Sequence, residues 1–90
     1  MKVRYGPYVH VPHLSRRLRN ELYEAPSTSR ELSVVLAIPL RTVQVGLWIL
    51  TSQGHARVAG VVPGELRRGP RLKLYKLTPA GRYMVRKAAA

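Results

Sequence analysis

The arginines are the side chains of this sequence best suited to do chemistry. Sixteen Lys and Arg, most of them Arg, stand against four Glu and no Asp, a formal charge of +12 on 90 residues. Such a surface repels itself and attracts polyanions. Nucleic acid is the default partner, and an anionic membrane surface or an acidic protein would answer the same charge. The guanidinium tilts the choice, because its planar fork matches phosphate oxygens and guanine edges better than an ammonium does. Other chemistry has little to stand on. There is no cysteine, which removes disulfides, thiolate metal sites and thiol catalysis. The four Glu are scattered, Glu31 is taken by a helix cap, and no Gly-rich run matches a phosphate cradle. No enzyme is expected. His10 and His13 are three apart and His55 is distant. Two imidazoles at that spacing share a metal only on one helix, and Pro12 lies between them, so neither a metal nor another cofactor is expected.

Basic side chains bind a shaped partner only when a folded body positions them. At 46% hydrophobic residues the chain can close one small core. No apolar run approaches the roughly 18 residues of a membrane span. The opening residues Met1 to Pro7 lack the apolar stretch of a signal peptide. A cytoplasmic, nucleoid-associated protein with no membrane partner is the expectation.

Residues 1–12 hold Tyr5 and Tyr8 around Gly6 and Pro7 and read as an extended arm. Pro12 suits a first helical turn. Leu14, Leu18 and Leu22 then recur every four residues, the stripe of an amphipathic helix with Arg16, Arg17 and Arg19 off it. Pro26 stops that helix near Glu24. Thr28 and Glu31 form a capping box that opens a second helix, with Leu32, Val35 and Leu36 expected to face inward. Ile38 and Pro39 break it. A third helix is expected from Leu40 to Ser52, with Gly54 as its left-handed cap. Val43, Leu47 and Leu50 are its buried stripe; Arg41, Gln44, Val45 and Trp48 lie opposite. Gly46 in the middle costs about 1 kcal/mol relative to alanine, which a close helix contact would explain. Residues 56–62 and 71–77 read as two strands around a basic, turn-rich loop at 63–70. Thr78 and Pro79 open a last helix carrying Tyr83, Met84 and Val85. The expected fold is α+β and mostly helical: a three-helix core, a β-hairpin wing and a C-terminal helix, divided as an arm at 1–12 and one domain at 13–90.

Ser29 to Leu32, Thr42 and Val43 with Leu47 and Leu50 behind them, Gly54, and the run Tyr75 to Gly81 carry a resemblance. Over roughly residues 13–87 the chain resembles winged helix-turn-helix DNA-binding proteins, in the broad sense of MarR-like and PadR-like transcriptional regulators. Three things depart from that pattern. Gly46 interrupts the third helix, Trp48 and Ile49 stand where polar residues are usual, and no segment is similar to an effector-binding domain, so no small-molecule effector is expected.

The resemblance implies roles. The third helix would enter the major groove. Arg41 would read guanine O6 and N7, Gln44 adenine N6 and N7, and Val45 a thymine methyl, with Thr42 beside them on a base or a phosphate. On the wing, Arg67, Arg68, Arg71 and Lys73 would meet phosphates or the minor groove. Ser27, Thr28, Ser29 and Arg30 open the second helix, whose free N–H groups favour an anion. Arg16 and Arg17 would add remote phosphate contacts. Trp48, with Tyr5 and Tyr8, is a candidate for an arm contact, a dimer contact or a contact with DNA. Against each role stands a plainer one, a solvated face for the charges and simple capping for Ser29 and Thr28. The function implied is a sequence-specific double-stranded DNA-binding regulator, a homodimeric repressor acting by operator occupancy. Two alternatives share the fold: a non-specific, architectural DNA-binding protein, and a winged helix used as a protein-interaction or RNA-associated module. The apolar third helix favours the last.

Overall fold

A computed structural model describes residues 8–62 and 72–89. In chain order its elements are α1 (Leu14–Glu24), β1 (Ser27–Thr28), α2 (Ser29–Leu36), α3 (Leu40–Ser52), β2 (Ala56–Val62), β3 (Leu72–Leu77) and α4 (Pro79–Ala89). The strands form one antiparallel sheet in the order β1-β3-β2.

The periodic stripes build the core. Leu14, Leu18 and Leu22 of α1 close on Leu32 of α2, on Val43, Leu47 and Leu50 of α3, and on Ile38, Ala56 and Leu77. Gly46 has the close contact its position called for. A Cβ there would lie 2.5 Å from Leu18 Cδ1 and 2.9 Å from Leu14 Cδ2, so the bare Cα lets α1 and α3 approach. The obstructing atoms are ends of flexible side chains. Gly46→Ala is therefore expected to cost only about 1 kcal/mol net in a urea titration, the overpacking strain exceeding the gain in helix propensity.

Three local expectations change. Pro12 lies in a turn, and the residue at the N-cap of α1 is His13 in a left-handed conformation, φ 58°. Val35 does not face inward: it is 64% exposed, as Val34 is at 75%. The eight-residue α2 ends at Ala37, itself left-handed at φ 56°, and the turn brings Ile38 back to complete the face begun by Leu32 and Leu36. Ser33 fixes that turn, its hydroxyl donating to the Ile38 carbonyl at 2.6 Å and its own carbonyl accepting from Ile38 N–H at 3.1 Å. Finally, the hairpin is joined by a third strand. Ser27 and Thr28 pair with Tyr75 and Leu74, which ties the start of α2 to the wing.

The root of the wing is fixed by Thr78. Its hydroxyl accepts from Gly81 N–H at 3.1 Å, capping α4, and donates to the Gly54 carbonyl at 2.6 Å, while Thr78 N–H donates to the His55 carbonyl at 3.0 Å. Gly54 has φ 79°, the left-handed turn that lets α3 fold back into β2. Among the described residues no single helix is long and apolar enough to cross a membrane.

Candidate nucleic-acid interface

The two helices α2 and α3 meet at 119° across the short break at 37–39. That angle and that spacing are a helix-turn-helix, which leaves one face of its second helix uncovered. The uncovered face of α3 carries Arg41, exposed, with Gln44 and Val45 half-buried at its sides. Trp48 follows Arg41 by two helical turns, on the same face, and is 70% exposed. Arg41, Gln44, Val45 and Trp48 thus share one surface, held by a helix whose other side is locked into the core.

Thr42 is not on that surface. It is fully buried, and its hydroxyl is satisfied twice by one residue: it accepts from Val9 N–H and donates to the Val9 carbonyl, both at 2.9 Å. Its one proton is spent on Val9 and the side chain has no exposed surface, so it cannot reach a base or donate to a phosphate. Its work is to fasten the arm to the first turn of α3, across a separation of 33 residues. Of the candidate contacts for Trp48, an arm contact is not seen among the described residues, where Tyr8 is 49% exposed and Trp48 70%. Tyr5 lies outside the described residues.

The start of α2 is closed as a capping box. Thr28 Oγ1 accepts from Glu31 N–H at 3.2 Å, and Glu31 Oε1 accepts from Thr28 N–H at 2.8 Å. The Ser27 hydroxyl donates to the Ala25 carbonyl at 3.4 Å. Two N–H groups that an anion would use are occupied, and the Glu31 carboxylate opposes one. Ser29, half-buried, and Arg30, exposed, remain beside this cap.

On the wing, Lys73 is exposed and pairs with Val61. Arg67, Arg68 and Arg71 lie outside the described residues. Arg16 and Arg17 are exposed on α1, where Arg17 Nη2 donates to the Leu36 carbonyl at 3.5 Å, at the last turn of α2. Burial pushes the Arg19 guanidinium below its ordinary value, and Arg16 beside it adds repulsion. Arg57 and Lys76, to which the sequence reading gave no binding role, stand opposite each other at the root of the hairpin.

No protein-family profile matches this sequence, and no characterised protein matches it significantly in sequence. Solved structures do match in shape. A ZitR variant from Lactococcus lactis in apo form superposes with a TM-score of 0.71 at 19% identity, covering 87% of this chain and 55% of that one. A second ZitR variant gives 0.70 at 18% identity over 98% of this chain and 57% of the other. A MarR family regulator from Neisseria meningitidis gives 0.66 at 19% identity over 88% and 55%. The chain therefore spans slightly more than half the length of these structures, and at such identities the likeness is one of fold. With its helix-turn-helix, its three-stranded sheet and the helix that follows, this chain has the winged helix-turn-helix fold in the form carried by MarR-like regulators.

Proposed function

We propose that this chain is a sequence-specific double-stranded DNA-binding regulator, a repressor that acts by occupying its operator and catalyses nothing. One observation carries the reading: the outward face of α3 presents Arg41, Gln44 and Val45 together, on a helix immobilised by Val43, Leu47 and Leu50, in a chain of charge +12. Arg and Gln are the side chains that hydrogen-bond guanine and adenine in bidentate fashion in the major groove. Ser29, Arg30, Lys73 and the wing residues Arg67, Arg68 and Arg71 supply phosphate contacts in this reading, and Arg16 and Arg17 outlying ones. The residues before 13 serve as an arm on a single domain. The fold likeness to a MarR family regulator supports DNA as the partner.

The protein acts as a homodimer in the cytoplasm, associated with the nucleoid. One helix and one wing bury too little surface for tight binding at one genomic site. Tyr83 on α4, 57% exposed, and Trp48 are surfaces a second copy could cover.

Fluorescence anisotropy with a labelled duplex tests the partner. Binding should tighten steeply as salt falls, because Lys and Arg displace counterions from the phosphates. Between 200 and 50 mM salt a protein making about six phosphate contacts gains about a thousandfold in affinity. No binding at physiological salt would overturn the DNA reading. It would favour the second one, a protein-interaction module, which rests on the exposure of Trp48 beside Val45 and Ile49.

A further inference from the structure

A groove of about 640 Å³ opens between the end of α1, the root of the wing and the first turn of α4. Its walls bring together residues from four elements: Arg57 of β2, Lys76 of β3, Arg82 of α4, and Tyr23 and Glu24 of α1. Arg57 and Lys76 are direct partners in the antiparallel register. Like charges facing each other across a strand pair repel and destabilise the sheet. The pairing therefore costs the hairpin stability. A third cation joins the two. The Arg82 guanidinium is held 4.4 Å from the centre of the Tyr23 ring, so its position is fixed by stacking as well as by the backbone of α4. Pro79 also lines the groove, which places the positive end of the α4 dipole on its rim. Against three cations stands one carboxylate, Glu24.

We propose that this groove is an anion site that binds a phosphate dianion, free or carried by a small phosphorylated molecule. Two negative charges between Arg57 and Lys76 turn their repulsion into attraction. The fork of Arg82 supplies paired N–H donors for phosphate oxygens. The groove is roomy enough for a ligand larger than the phosphate itself, within the ordinary range of small-molecule sites. The site stands at the root of the hairpin, several strand residues from the wing tip and off the exposed face of α3. A ligand there would brace α1, the wing and α4 against one another. The sequence did not announce it, because no single segment carries it.

The test uses the full chain and its variants Lys76→Gln and Arg82→Gln, with Lys87→Gln, in the last turn of α4 and outside the groove, as the control. Thermal melts and amide chemical shifts are recorded with inorganic phosphate and with glycerol 3-phosphate, against chloride at matched ionic strength. In the wild type and in Lys87→Gln, phosphate is expected to raise the melting temperature and to shift amides around residues 57, 76 and 82. In Lys76→Gln and Arg82→Gln the apparent affinity should fall about tenfold or more, as charge-assisted hydrogen bonds are lost. Without ligand, Lys76→Gln should melt about 2 °C above the wild type, because it relieves the like-charge pair. Equal responses to the two anions would assign the site to free phosphate, and a stronger response to glycerol 3-phosphate to a phosphorylated small molecule. Equal shifts in all four proteins, or none in the wild type, would overturn the site. So would an unliganded Lys76→Gln protein that melts below the wild type. None of these outcomes depends on whether α3 reads DNA.

Discussion

Gly81→Ala is expected to destabilise the fold by about 3 kcal/mol, the largest stability loss anticipated from a single methyl group in this chain. A Cβ at Gly81 would overlap the carbonyl oxygen of His55, with Leu77 Cδ2 only 3.0 Å away. The first obstacle is backbone, so no rotamer change relieves it. That carbonyl also accepts the Thr78 N–H, and Thr78 in turn caps α4 and donates to Gly54. Moving α4 away from His55 therefore strains a whole cluster of hydrogen bonds, each worth about 1 kcal/mol. Alanine's better helix propensity returns only about 1 kcal/mol. For a domain of this size the melting temperature should fall by about 12 °C or more. Gly46→Ala, whose obstacles are leucine side-chain ends, should fall by much less. Similar losses at the two glycines would contradict the view that the α4 join is the rigid one.

Arg41→Ala is expected to cost about 1–3 kcal/mol of DNA affinity and to relax the preference at one or two base positions while leaving the others intact. Arg41 is exposed on α3 and makes no hydrogen bond among the described residues, so its removal leaves the core untouched. Lys73→Gln should behave differently. As a phosphate contact it should weaken binding to all duplexes alike and lower the salt slope by about one. Thr42→Val should do neither, since the Thr42 hydroxyl is spent on Val9. Melting curves beside anisotropy separate these cases: Arg41→Ala and Lys73→Gln should melt like the wild type, whereas Thr42→Val releases the arm. An Arg41→Ala protein with unchanged affinity and unchanged preference would move the reading towards the protein-contact alternative centred on Trp48.

Much of the fold was legible because it follows short-range rules. The four-residue spacing of Leu14, Leu18 and Leu22, the stripe of Val43, Leu47 and Leu50, and the caps at Thr28, Gly54 and Thr78 depend on neighbours a turn or two away. Even Gly46 announced a close contact, since nothing local would repay a glycine there. What escaped depends on long-range geometry. Val35 lies at the edge of a helix only eight residues long, where the apolar pattern does not say which side the next turn will cover. Thr42 lies on the flank of α3, and its burial comes from Val9, which no periodicity in α3 can reveal. β1 is two residues long, too short for alternation to register. The pairing of Arg57 with Lys76 follows from a strand register that begins at Ala56 and Leu77 and shifts between Val58 and Gly60, and no residue pattern in either strand fixes it. Of the candidate site, the side chains of α3 were legible as a face. Thr42 was assigned to that face wrongly.

Selection from a pool of randomised duplexes, carried out at two salt concentrations with the wild type and Arg41→Ala side by side, tests the central claim most directly. The wild type should enrich one motif at both salts, arranged as an inverted repeat if two copies bind, and Arg41→Ala should lose the preference at a guanine within it. Tight low-salt binding that enriches no motif, or a motif indifferent to Arg41, would contradict sequence reading by α3.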